Sequence, residues 1–319
     1  MSAPIVGLHH VTAIAGDPQK NVDFFVNVLG LRLVKRTVNF DAPETYHLYY
    51  GDEIGDPGTI LTFFPWPGAP KGRQGTGQVT VTGFSISSES IGYWRDRLRQ
   101  CGAKIEAPVR RFEEEVLALH DPDGLKLELV AHRAARMNRS WKAGPVPPPH
   151  EIRGFHGVTI SAAGYERTAR LLTETMGFTA GPVDGNRFRF VAADGSSSGA
   201  NVDVMCSPGQ PRGIVAVGTV HHIAFRVPDD RAQLDWRERL VVANLDVTPQ
   251  IDRQYFRSIY FREPGGVLFE LATDPPGFLT DESVGDLGTH LKLPPWLEED
   301  RRQLEAILPP IHVPVNPPQ

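Results

Sequence analysis

Gly7-Leu8-His9-His10-Val11-Thr12 lies near the start of the chain, and Thr219-Val220-His221-His222-Ile223-Ala224 repeats its pattern in the last third. A carboxylate, Glu270, then ends the apolar run Gly265-Gly266-Val267-Leu268-Phe269-Glu270. Two histidines and one carboxylate on rigid strands make a minimal three-ligand metal site with open positions. That donor set suits a non-haem iron(II) oxygenase better than a structural zinc.

The strand that carries each doublet belongs to a larger unit of strand, helix and three further strands, which can be read four times. In the first, strand 7–14 is followed by Asp17 as N-cap, then Val22, Phe25, Val26 and Leu29 on one helical face and Gly30 as the stop. In the second, Val79 to Ile86 precedes Ser88, then Ile91, Trp94, Leu98 and Cys101, and Gly102 closes the helix. In the third, Gly154 to Ser161 precedes Tyr165, Ala169, Leu172 and Met176, with Gly177 in the same role. The fourth runs from Val220 to Val227, with a less clean helix around Leu234, Trp236 and Leu240. The closing strands agree best: His120-Asp121-Pro122-Asp123-Gly124-Leu125-Lys126-Leu127-Glu128 matches Arg262-Glu263-Pro264-Gly265-Gly266-Val267-Leu268-Phe269-Glu270. The expected modules are 1–76, 77–132, 151–208 and 214–275, the first and last metal-bearing. A linker over 133–150 carries Trp141 and the run Pro145 to Pro149. A C-terminal extension over 276–319 contains one helix over 294–308 and a tail, 309–319, too proline-rich to continue it.

With 319 residues, 40 % of them hydrophobic and 22 % charged, the chain has the profile of a globular protein with room for two ordinary domains. A formal charge of −5 offers no basic surface for nucleic acid and no lysine-rich stripe for an anionic membrane, so small weakly charged partners are expected. Met1 leads straight into the first histidine phrase without the pattern of a signal peptide, and no apolar run approaches membrane-spanning length, so the expected location is cytoplasmic. Cys101 and Cys206 are too few for a thiolate metal site, and both read as small buried hydrophobes.

Four such units, with histidines on first strands and a glutamate on a last strand, resemble the vicinal oxygen chelate superfamily. Its members include glyoxalase I, fosfomycin and bleomycin resistance proteins, and the type I extradiol dioxygenases. The likeness covers residues 5–275. Within it, His9-His10, Phe24-Phe25, Val34-Lys35-Arg36-Thr37, Tyr46-His47-Leu48-Tyr49-Tyr50 and the stretch from Arg253 to Arg262 look most like the hydroquinone 1,2-dioxygenases and their ring-cleaving relatives. The fold this implies is α+β, with four βαβββ modules closing into two open eight-stranded barrel-like halves. The implied cofactor is Fe(II), with Mn(II) as the alternative; the implied partners are a small aromatic substrate and O2, and a homo-oligomer is left open.

The repeats show which unit can supply which ligand. The second histidine of the doublet is His10 in unit one and His222 in unit four but Gly157 in unit three, where His156 matches only the first; unit two has Thr80 and Val81. At the closing-strand position stand Thr62, Glu128, the stretch Val202-Asp203-Val204 and Glu270, in order of the units. Only units one and four complete a set, His10, His222 and Glu270, so they are expected to pair around the metal while the middle two form a metal-free half. Two neutral imidazoles and one carboxylate leave an iron(II) a net positive charge with which to bind a phenolate oxygen. Strand alternation turns His9 and His221 away from the metal unless the strand is bulged. The resemblance nevertheless places His221 and His9 at functional positions, with Arg253 and Tyr260 lining the substrate pocket: Arg253 to stabilise a substrate oxyanion, Tyr260 to donate a hydrogen bond. Glu128 reads as a surface or core-rim carboxylate, His156 as a structural relic, His47 as the one other histidine to watch, and Glu113-Glu114-Glu115 as the solvated start of a strand.

The favoured reading is an Fe(II)-dependent ring-cleaving dioxygenase acting on a para-diphenol, with extradiol cleavage of a catechol second. A glyoxalase-like lyase needs a fourth protein ligand that the Thr62 region does not offer, and a drug- or quinone-sequestering protein needs no metal triad.

Overall fold

Units one and four share a sheet, and units two and three share another. The computed structural model describes residues 3–133, 135, 141–195 and 198–313. Its first sheet takes strands β1 (Leu8–Ala15), β2 (Arg32–Asn39), β3 (Ala42–Gly51) and β4 (Ile60–Pro65) from the start of the chain. The second holds β5 (Gln78–Ser87), β6 (Lys104–Ile105), β7 (Val109–Arg111), β8 (Glu114–His120), β9 (Lys126–His132), β10 (Phe155–Ala162), β11 (Thr179–Asp184), β12 (Arg187–Val191) and β13 (Asn201–Cys206). The first sheet is completed by β14 (Thr219–Val227), β15 (Ile251–Asp252), β16 (Arg257–Arg262) and β17 (Leu268–Thr273).

The orders are β15-β16-β17-β14-β1-β4-β3-β2 and β11-β12-β13-β10-β5-β9-β8-β6, with β7 on β8. The second sheet has nine strands rather than the expected eight because unit two's second strand is broken into β6 and β7, both antiparallel to β8. In every unit the first strand runs parallel to its closing strand, and the register aligns Thr62, Glu128, Asp203 and Glu270 opposite Thr12, Gly83, Thr159 and Ala224. Each sheet is thus two copies of one unit joined first strand to first strand, β1 to β14 and β5 to β10.

The halves are stitched by backbone. Leu8 N–H donates to Gly199 O, Gly199 N–H to Phe155 O, Phe155 N–H to Gly58 O and Gly58 N–H to His9 O, all within 2.7–3.1 Å. Gly58 and Gly199 have φ of +93° and +71°, and a Cβ on Gly199 would sit 2.7 Å from the Leu8 side chain, so both the turn and the close approach require glycine.

Helices α1 (Pro18–Val22), capped by Asp17, and α3 (Glu166–Arg170) each widen into a π turn, over Asp23–Val28 and Leu171–Thr175. Helix α2 (Ile91–Gln100) buries Ile91, Trp94 and Leu98 but leaves Cys101 exposed just past its end, and Cys206 is half-buried, so neither cysteine is the buried hydrophobe expected. Helix α4 (Asp230–Val242) is longer than its pattern suggests, and it buries Ala232, Gln233, Trp236 and Leu240, with Leu234 outside. Gln233 explains the blurred apolar face: its amide donates to the backbone carbonyls of Arg257 and Leu271, so a polar side chain sits in the core. The expected single helix over 294–308 is a 3-10 stretch, Pro295–Asp300, followed by α5 (Arg301–Ile307). Residues 134 and 136–140 of the linker and 314–319 of the tail lie outside the described residues. Among those described, no helix is long and apolar enough to cross a membrane.

The C-terminal extension runs back over β2. Lys292 N–H donates to Arg36 O, and the fully buried Lys35 ammonium reaches Asp281 at 2.6 Å and also contacts Glu282. Asp281 further accepts from Tyr255 Oη at 3.0 Å, which ties the extension to the loop before β16.

In the second sheet, the positions equivalent to a metal site are filled with ion pairs. Arg111 forks onto Glu128 at 3.1 and 2.5 Å; Arg189 binds Asp203 at 2.8 and 3.1 Å and Glu114 at 2.8 Å; Arg187 adds a bond to Asp203 at 3.0 Å. His156 bonds Glu114 at 2.6 Å. Glu128 is therefore a buried ion-pair partner rather than a rim carboxylate, and Glu114 is buried rather than solvated, unlike Glu113 and Glu115 on either side. Burial alone would raise the Glu114 carboxyl, but His156 and Arg189 outweigh it and hold it at about 2. Its contribution to stability is thus complete above the ordinary value of 4.5 and lost as the pH falls from there through about 2. In acid unfolding followed by circular dichroism, the stability advantage of the wild type over Glu114→Gln should therefore shrink as the pH falls from about 4.5 through about 2. Glu128→Ala, by stranding the Arg111 charge, should cost roughly 3 kcal/mol in denaturant titration, and the double variant that also removes Arg111 should cost less than the single one. Metal content should be unchanged in both; a neutral Glu128→Ala would rule out this account of the cluster.

Candidate metal centre and pocket

His10 comes from β1, His222 from the facing β14 and Glu270 from β17, which runs beside β14. Glu270 Oε2 lies 3.3 Å from His10 Nε2 and 3.0 Å from His222 Nε2, and the two Nε2 atoms are 3.3 Å apart. All three residues are buried, their ligand atoms within 4.8 Å of one another, and they are the only such group among the described residues. Burial would push the Glu270 carboxyl up; the facing His10 and His222 outweigh it and hold it well below the usual range. Its Oε1 accepts from Ser258 Oγ at 2.5 Å, while Oε2 has no directed hydrogen bond although it is fully buried. A buried carboxylate oxygen without a donor, aimed between two imidazole nitrogens, fits a metal cation.

The doublets explain how both ligand histidines present the same nitrogen. The β1–β14 register slips at two places, and the extra residues are His9 and His221. Each first histidine thereby swings beside its neighbour instead of pointing away: His9 Nδ1 is 3.0 Å from His10 Nδ1, and His221 Nδ1 is 2.7 Å from His222 Nδ1. The bulge is the one circumstance in which strand alternation fails, and it occurs at both copies.

Protonation follows from the network. Burial, reinforced by His10, keeps His9 neutral, and its imidazole bonds the Thr273 backbone carbonyl. With Nδ1 facing His10, that bond uses Nε2–H, so His9 Nδ1 accepts, His10 Nδ1–H donates, and Nε2 is the His10 nitrogen turned toward Glu270. His221, lowered to about 3 chiefly by burial and then by His222, is likewise neutral.

Beside the triad lies a cavity of about 320 Å³, lined by His10, His221 and His222, by Arg253 and Tyr260, and by the aromatic walls Phe40, Phe64, Trp66 and Phe256. His9 does not line it. Arg253 Nε is 3.2 Å from Tyr260 Oη, and Nη1 is 3.0 Å from Asp41 Oδ2. Burial and the nearby Glu270 raise the Tyr260 phenol, so it remains a donor. His47 also lines the cavity, but both its nitrogens are engaged, Nδ1 with Tyr49 Oη and Nε2 with Thr62 Oγ1, each at 2.8 Å. Thr62, at the position of Glu270 in unit one, further bonds Thr12 Oγ1 at 2.9 Å. Phe256 and Asp41 escaped the sequence reading. Phe256 packs edge-on to His9 and tilted against His10, with ring centroids 5.1 and 5.0 Å away, and it lies inside the Arg253–Arg262 stretch; Asp41 carries no periodic signal at all.

The family model described as Glyoxalase/Bleomycin resistance protein/Dioxygenase superfamily matches residues 7–129 and 150–271. "Putative ring-cleaving dioxygenase MhqO" of Bacillus subtilis (strain 168) is 45% identical over 313 residues, 98% of this chain and 99% of that protein. "Chlorohydroquinone/hydroquinone 1,2-dioxygenase" of Sphingobium indicum is 34% identical over 310 residues, 94% of this chain and 95% of that protein. A crystal structure of a "putative dioxygenase" from Bacillus subtilis superposes with a TM-score of 0.94 at 44% identity, covering 98% of this chain and 99% of that one. The chain therefore belongs to the Glyoxalase/Bleomycin resistance protein/Dioxygenase superfamily, among members named as dioxygenases.

Proposed function

We propose that this chain is an Fe(II)-dependent dioxygenase that opens the ring of a hydroquinone-type para-diphenol. The observation that carries the reading is the convergence of His10, His222 and Glu270 with no fourth protein ligand beside them among the described residues: the equivalent position in unit one, Thr62, is held by Thr12 and His47. Three protein donors leave room on the metal for substrate and oxygen, as a four-ligand lyase site does less readily. The aromatic walls and the size of the cavity suit one substituted ring, and the full-length relative named as a hydroquinone dioxygenase supports the para-diphenol over a catechol.

When bound, Fe(II), or Mn(II) on the same donors, supplies open coordination positions and the electron chemistry toward O2 that no side chain offers. The chain does the rest. His10 and His222 present Nε2 because their Nδ1 atoms are tied to His9 and His221. Arg253 and Tyr260 orient the substrate's phenol oxygen, the guanidinium through its charge and spare N–H groups and Tyr260 Oη by donating. His221, neutral and lining the cavity, holds a proton at Nε2 once its Nδ1 accepts from His222. His9, buried behind His10, acts through it and not on the substrate.

Oxygen uptake by anaerobically Fe(II)-loaded protein given para-diphenols, catechols and a hemithioacetal in parallel tests the reading. Uptake with a para-diphenol together with a new ring-open chromophore is expected; turnover of the hemithioacetal alone after zinc or nickel loading would refute it. His222→Ala should lose both bound metal, by elemental analysis, and turnover. Tyr260→Phe should keep the metal but slow turnover by roughly 10²-fold, and an unchanged rate would remove Tyr260 from the mechanism.

A further inference from the structure

Among the described residues that line the cavity, Arg253 is the only guanidinium or ammonium and Asp41 the only carboxylate, and the two are already paired. The Arg253 guanidinium faces both ways: Nε reaches inward to Tyr260, which pairs across the strands with Glu270, and Nη1 reaches outward to Asp41 at the mouth. Arg253 is held by a tight turn in which its N–H donates to Phe256 O and Gln254 takes φ of +68°. Asp41 sits at the tip between β2 and β3, its N–H bonded to Asn39 Oδ1, and the neighbouring Phe40 ring is braced edge-on by Trp296 at 5.6 Å. The Asp41 side chain is 71% exposed against 18% for Arg253, so the ion pair is water-screened and exchangeable rather than a fixed strut.

We propose that Asp41 is a specificity-determining residue: by occupying Arg253 at the mouth, it admits aromatic rings whose outer edge is uncharged and discriminates against rings carrying a carboxylate there. A phenol oxygen can share Arg253 with Asp41, since the guanidinium has further N–H donors. A ring carboxylate must displace Asp41 and then lie beside it, like charge against like charge. The inference rests on reading the cavity as a phenol site, and it deepens that reading by naming the class of ring excluded.

The test is anaerobic titration calorimetry of phenol and benzoate with the Fe(II)-loaded full chain, repeated on metal-free protein to remove coordination as a source of benzoate binding. Asp41→Asn should tighten benzoate about fivefold and leave phenol within about twofold. The gain should vanish when Arg253→Gln is added, and it should shrink in about 1 M salt, where the screening length is about 3 Å. Equal shifts for the two ligands, or no shift for benzoate, would overturn the proposal. A failure of the dioxygenase reading shows separately, as absent ring opening in air with this affinity difference intact.

Discussion

The antiparallel pairing of β1 with β14 is the constraint on which the rest depends. It joins units distant in sequence into one sheet, sets the two imidazoles facing each other and lays β17, with Glu270, alongside. The two slips in that ladder matter as much as the pairing. In a regular strand the two histidines of a doublet would point to opposite faces; with the bulges at His9 and His221, each candidate ligand histidine gains a partner for its Nδ1 that fixes both tautomer and ring angle. The ligand and its support are therefore adjacent letters in the sequence.

The two halves of the molecule neutralise buried carboxylates in different ways. At the equivalent closing-strand positions, Glu270 faces two imidazoles and Glu128 and Asp203 face arginines. Val81 and Gly157 stand where His222 and His10 would be, and Gly157 admits no side chain, since a Cβ there would lie 2.2 Å from Asn201 O. With imidazoles gone, a buried carboxylate needs a permanent cation, and guanidinium groups supply one from inside the protein. The half with the histidines sets a candidate metal-binding donor group around its carboxylate; the half without them draws its cations from its own side chains.

Much of this was legible from residue order because the repeats carry their own alignment. The doublets, Glu270 and the absence of a histidine at Gly157 sufficed to pair unit one with unit four. What stayed hidden depends on contacts between distant segments. Glu114 looks solvated until Arg189 and His156 are brought to it, and Lys35 looks like a surface residue until Asp281 and Glu282 fold back over it. Gln233 blurred a helix pattern because its polar group is satisfied by two backbone carbonyls rather than by water. Asp41 is invisible for the opposite reason: an exposed turn residue obeys no burial period, and only its distance to Arg253 gives it meaning.

The wide separation of β1 and β14 also bears on how the protein comes into being. On the ribosome, β1 emerges with His10 exposed, and its partner strand follows only after some two hundred further residues, roughly 10–40 s later at ordinary translation rates. The strands of units two and three are all synthesised by then, while β1 still lacks its partner strand. Assembly of the candidate metal site is thereby tied to the end of synthesis: a chain interrupted before Glu270 owns at most two of the three candidate donors.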